Sequence, residues 1–190
     1  MVAGQLETLL GFVQRSIRVA VAGHRNNQLP PDALPRVRAA TESALDTIQA
    51  AGREATHKKA RFVLVSALAE GADRIAAEAA LARGWTLEAP LPFSVERYEK
   101  DFADSESAAQ FQALLKQAAR VKPAPKNDEN ADAGYASVGK AIAQGADIGL
   151  IIWNGEAPKG EGGTADVAAR ILESGAPIVW VGVAVGPAGV

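Results

Sequence analysis

Cysteine is absent from this sequence, and histidine occurs only at His24 and His57. Without thiols there is no disulfide, no thiolate metal site and no cysteine nucleophile, and two histidines are too few for a histidine-based metal cluster. No metal site is expected. Aromatic residues make up only 5% of the chain. No apolar run approaches the ~20 residues that cross a bilayer. The first residues carry Glu7 where a signal peptide would have a basic lead. A cytoplasmic location is therefore expected, in keeping with the lack of cysteine. Neither sign of charge is in excess: the formal net charge is -2 and the pI about 5.8. No bulk basic field draws in nucleic acid, so a nucleic-acid partner is not expected. The basic patch of Arg53, His57, Lys58, Lys59 and Arg61 reads as a solvated loop before a strand.

What is present suits a globular domain. The 190 residues are 48% hydrophobic and 22% charged, which fits one domain, 1–190, with a sizeable core. The chain closes just after its last apolar run, on Gly186, Pro187, Ala188, Gly189 and Val190, and is expected to be the first domain of something longer. Short apolar runs at 17–22, 62–65, 85–91, 148–153 and 178–183 predict five strands. Helical spacing predicts helices between them, with a short one at 4–14 ahead of the first strand. Pro30, Pro31 and Asp32 open one that Gly52 ends. Further helices are expected over 75–83, 95–102, 108–119 and 135–144. The stretch 122–130, polar with two prolines, reads as an exposed loop or lid. Tyr98, Phe102 and Phe111 read as core rather than ligand stackers. Strands alternating with helices give an α/β, doubly wound parallel sheet, Rossmann-like, with probable order 3-2-1-4-5 and helices on both faces.

The most informative stretch is 148–172, a buried strand, a glycine-rich loop and a helix. Asn154 and Gly155 break the strand, and Gly160, Gly162 and Gly163 precede a helix opening near Thr164. A helix start presents unpaired N–H groups and the positive end of its dipole, which suits a phosphate. It is not a Walker A loop, because Glu161 stands where the lysine belongs. A dinucleotide fingerprint fails too: the last glycine is missing and no acidic residue ends the next strand.

Two more loops end strands at the same crevice. The first strand runs into Gly23, His24 and Arg25, where open α/β sheets place ligands. The second runs into Ser66, Ala67, Leu68, Ala69, Glu70, Gly71, Ala72 and Asp73. Glu70 and Asp73 favour a helix start but repel a bare phosphate, which places them nearer a ribose or base. In the expected order these strands are adjacent.

These residues resemble the SLOG superfamily, the Rossmann-like group that contains the cytokinin-activating lonely-guy enzymes and the DNA-processing protein A. The run from Val65 to Asp73 with Ala80 and Leu81 is similar to the DNA-processing protein's second strand and loop, with Ala67 where a glycine is usual. Gly23, His24 and Arg25 resemble the family's first-strand Gly-x-Arg element. Gly162, Gly163 and Thr164 resemble the end of the lonely-guy phosphate motif. Trp153, Asn154 and Gly155, followed by Gly160 to Asp166, resemble a bacterial branch found in multidomain proteins. The resemblance implies a nucleotide as ligand rather than a cofactor, and a homodimer. In lonely-guy hydrolases a glutamate three residues after the motif threonine is implicated in cleaving the N-glycosidic bond. Here that position is Val167, which cannot transfer a proton. Asp166 lies one residue, about 100°, away.

The expectation is binding of a nucleotide or nucleotide-derived ligand, as a sensor in signalling or defence. Gly23, His24, Arg25, Ser66, Glu70, Gly71, Asp73, Gly160, Gly162, Gly163 and Thr164 are the candidate site, with Arg25 a two-donor phosphate clamp. The alternatives are a phosphoribohydrolase acting on nucleoside monophosphates, with Glu70 or Asp73 as the carboxylate, and a scaffold with a vestigial pocket.

Overall fold

A computed structural model describes residues 16–56, 60–123, 130–156 and 162–183. The expected helix at 4–14, Gly160, and His57, Lys58 and Lys59 of the basic patch lie outside the described residues. The strands are β1 Ser16–Gly23, β2 Arg61–Val65, β3 Thr86–Leu91, β4 Arg120–Pro123, β5 Ile148–Trp153 and β6 Ile178–Gly182. The helices are α1 Leu34–Ala55, α2 Ala72–Ala82, α3 Val95–Tyr98, α4 Ser105–Leu115, α5 Ala131–Ala143 and α6 Thr164–Glu173. None of these helices is long and apolar enough to cross a membrane.

The sheet has six strands in the order β4-β3-β2-β1-β5-β6, and every pairing is parallel. Five strands were expected, so the count is corrected. The sixth, β4, extends the expected order at the outer edge of β3. It is four residues long, has no buried residue and ends on a proline, which suits an edge with one neighbour. No apolar run announces such a strand.

The centre of the sheet follows from its sequence. Val19, Ala20, Val21, Leu150, Ile151 and Ile152 are all at 0% exposure, because β1 and β5 are covered on both sides. Alternation along the strands divides the core in two. Val19, Val21, Leu64, Leu87, Leu150 and Ile152 pack with α1 to α4, whereas Ala20, Ala22, Val63, Val65 and Ile151 pack with α5 and α6. Each fully buried aliphatic side chain contributes about 1.5–3 kcal/mol relative to exposure. The doubly wound arrangement follows, with helices on both faces.

Candidate functional site

The carboxyl ends of β2, β1 and β5 lie side by side, and a crevice of about 300 Å³ opens above them. Gly23, His24, Arg25, Asp73, Gly162, Gly163 and Thr164 all line it, so seven of the candidate residues from three separate loops come together.

One wall is the start of α6. Gly163 is its N-cap and supplies no side-chain cap. The first intrahelical bond runs from the Val167 N–H to the Gly163 carbonyl, at 3.0 Å, which leaves the N–H groups of Thr164, Ala165 and Asp166 without an intrahelical partner. Gly162 has φ +75° and sits against the Tyr135 carbonyl of α5, where a Cβ has no room. Its N–H donates to Asp166 Oδ2 at 3.0 Å, and Arg170 Nε donates to the same oxygen at 2.9 Å. Asp166 is thus turned back on the loop. Val167 is buried and lines the crevice.

The other wall is polar. Asp73 is 5% exposed and belongs to the first turn of α2. Burial pushes its carboxyl up to about 7, against the opposing pull of the Ala69 backbone, the Ser66 hydroxyl, Arg25 and Arg74. Ser66 Oγ donates to Asp73 Oδ2 at 3.3 Å and accepts from the Leu68 N–H at 3.0 Å. Arg25 lies with its guanidinium carbon 5.2 Å from the centre of the Tyr135 ring. Burial disfavours the Arg25 charge, but Tyr135, Tyr98 and Asp101 outweigh that and raise its pKa. Tyr135 in turn donates its hydroxyl to Asp101 Oδ2 at 2.7 Å. Tyr98, at 0% exposure, has a hydroxyl with no hydrogen-bond partner among the described residues.

His24 works mainly as a stitch. Its N–H donates to the Ile152 carbonyl at 3.0 Å, and its Nε2 accepts from the Asn154 N–H at 3.1 Å. An accepting Nε2 requires the Nδ1–H form of the ring. The contact fixes where the glycine-rich loop leaves β5.

Three candidates stand apart from the crevice. Ser66 is fully buried beneath it and supports Asp73. Gly71, with φ +93°, faces the loop after β1, and a Cβ there would lie 2.6 Å from the His24 carbonyl oxygen. The glycine lets the two loops touch, and the Ala72 N–H donates to that carbonyl at 3.0 Å. Glu70 points away, accepting from the Ala103 N–H at 3.0 Å and from the Ser107 hydroxyl. It does not line the crevice and instead anchors the start of α4. Tyr98, Tyr135, Gln28, Trp153 and Glu156 line the crevice but were not among the candidates. Aromatics at helical spacing read as core, so no sequence signal marks Tyr98 or Tyr135.

In fold, the chain is similar to DNA processing protein A from Streptococcus pneumoniae, with a TM-score of 0.55 and 15% identity. The match covers 88% of this chain and 52% of that one, so this chain spans about half of that protein. A second solved structure, TM1055, gives a TM-score of 0.49 at 13% identity, covering 86% of this chain and 72% of that one. No family model and no curated protein matches the chain. The fold is thus shared with a member of the group that the sequence motifs resemble.

Proposed function

We propose that the crevice binds a nucleotide or nucleotide-derived ligand, its phosphate at the start of α6, and that the domain acts as a sensor in signalling or defence. The reading is carried by the meeting, in one crevice at the strand carboxyl ends, of an uncapped helix start and the Arg25 guanidinium. Val167 at the position of the lonely-guy glutamate favours binding over cleavage. A thermal-shift screen with AMP, cyclic dinucleotides and ADP-ribose tests it. A ligand at about a hundred times its Kd adds about 2.7 kcal/mol, which raises Tm by roughly 5–10 °C for a domain of this size. Gly163→Val should abolish the rise without unfolding the chain, because φ -75° and ψ 171° suit any residue. No response from any nucleotide removes the reading.

One observation favours the hydrolase as a second reading: a carboxyl near pH 7 at the crevice wall has the pKa of a general acid. With Val167 in place, the expected result is still no free base from nucleoside monophosphates over hours, by chromatography. Release of adenine by the wild type, lost in Asp73→Asn, would put the enzyme first.

A further inference from the structure

We propose that Asp73 and Tyr98, with Arg25 beside them, form a second pole of the crevice that binds the vicinal hydroxyls of a furanose whose phosphate lies at the start of α6. The site then selects ribose phosphates over their 2-deoxy counterparts. This rests on the phosphate reading above and deepens it.

Two buried polar groups at this wall have bonding capacity to spare. The Tyr98 hydroxyl has no partner among the described residues, and Asp73 is held by the Ala69 backbone and by one hydroxyl donor, Ser66, at a long 3.3 Å. Burying such groups unpaired is costly, so a ligand that pairs them gains more than a surface contact would. The charges facing Asp73 narrow the choice. Arg25 comes from the loop after β1, Arg74 from its own helix, and Tyr98 from α3, with Tyr135 of α5 stacked beyond Arg25. Arg25 is thus already shared with an acid. A phosphate placed here would meet Asp73 as well, so the pole suits an uncharged group. Hydroxyls fit, because each both donates and accepts. Two neighbouring hydroxyls can donate to one carboxylate while accepting from Tyr98 and Arg25.

The spacing agrees. Asp73 follows β2 and the glycine-rich loop follows β5, with β1 between them. Two strand spacings are about 10 Å, which a phosphorylated sugar bridges by hydrogen bonds at either end. Arg25 follows the middle strand, and its five donors serve both sides. The volume of about 300 Å³ lies at the small end of ligand sites, which favours one phosphorylated sugar, with or without a base, over a dinucleotide.

Calorimetric titration of the whole chain tests this with ribose 5-phosphate, 2-deoxyribose 5-phosphate, AMP, 2′-deoxy-AMP and inorganic phosphate. The ribo forms should bind about ten- to a hundredfold more tightly than the deoxy forms. Asp73→Asn should shrink that ratio to under about threefold, and Tyr98→Phe should shrink it in part. Hydroxyl donors favour the ionised carboxyl, so the ribo preference should also grow as pH rises through about 7 and become flat in Asp73→Asn. AMP binding above ribose 5-phosphate identifies a nucleotide; equal binding identifies a sugar phosphate. Equal affinity of the wild type for ribo and deoxy forms overturns the diol pole and leaves the phosphate site standing. Failure of every probe, inorganic phosphate included, overturns the phosphate reading and this inference with it.

Discussion

Arg74→Ala is expected to destabilise the protein by about 3–5 kcal/mol, from the cavity it leaves and the hydrogen bonds of a buried charge that are lost, and to lower Tm by roughly 10 °C. Arg74 is 2% exposed. Its Nε donates to the Leu68 carbonyl at 3.1 Å, and its Nη1 donates to the Ser107 carbonyl and hydroxyl at 2.8 Å and to Gln110 Oε1 at 3.1 Å. The guanidinium lies 4.5 Å from the Phe102 ring centre, and Glu70 is foremost among the acids that favour its charge. Removing it opens a cavity, takes a favourable charge from the neighbourhood of Glu70 and frees the Leu68 carbonyl. Leu68 sits at φ 58°, a conformation that an L-residue adopts at a cost and keeps only where its surroundings impose it. Arg74→Met refills the space but restores neither the hydrogen bonds nor the positive charge near Glu70, so it should recover part of the loss. Adding Glu70→Gln to Arg74→Met should recover more, because both charges are then gone. Urea melts of the three variants measure this, and an Arg74→Ala loss below about 1 kcal/mol would show that the network contributes little.

That network explains which parts of the site could be read in the sequence. The central strands were legible because a run buried on both faces must be apolar, as in Leu150, Ile151 and Ile152. β4 was not, because an edge strand needs no apolar side chain. Its place is set by backbone contacts such as the Ala119 N–H to the Leu87 carbonyl, at 2.9 Å. The three glycine-bearing loops were legible because a close approach excludes a Cβ. The fate of Glu70 and Asp73 was not. Three residues apart, they look like a pair at one helix start. Gly71 turns the chain between them, sending Glu70 to α4 and Asp73 to the crevice. Only the hydrogen bonds from Ala103 and Ser107 to Glu70 settle the direction, and these partners come from far along the chain. α2 also begins at Ala72 rather than the expected 75, so Asp73 and Arg74 belong to its first turn.

Asp73→Asn is expected to stabilise the protein at pH 8, by roughly 2–4 kcal/mol, and to raise Tm by about 5–10 °C. The sign follows from linkage. The folded carboxyl is raised to about 7 from its ordinary value of 3.8. Between those values the native chain keeps a proton that the unfolded chain has released, so wild-type stability falls as pH rises through this window. Above about 7 the full penalty is present, and near pH 4 it has almost vanished. Asparagine does not titrate, is nearly isosteric, and can still accept from Ser66. The difference between variant and wild type should therefore grow from under about 1 kcal/mol at pH 4 to its plateau near pH 8, while all other titrating groups cancel. Part of the gain is offset, because an anion in the first turn of α2 favours the helix dipole by about 0.3–1 kcal/mol. Thermal melts of both proteins across pH 4–8 check this, and a difference that does not change with pH would mean that Asp73 ionises as an ordinary carboxylate. A stabilised Asp73→Asn would also bear on function. Keeping a carboxyl buried there costs stability in the ligand-free chain, and a ligand that donates hydrogen bonds to it would offset that cost. Binding and stability would then pull on one residue in opposite directions, as they do where a site is held ready for its ligand.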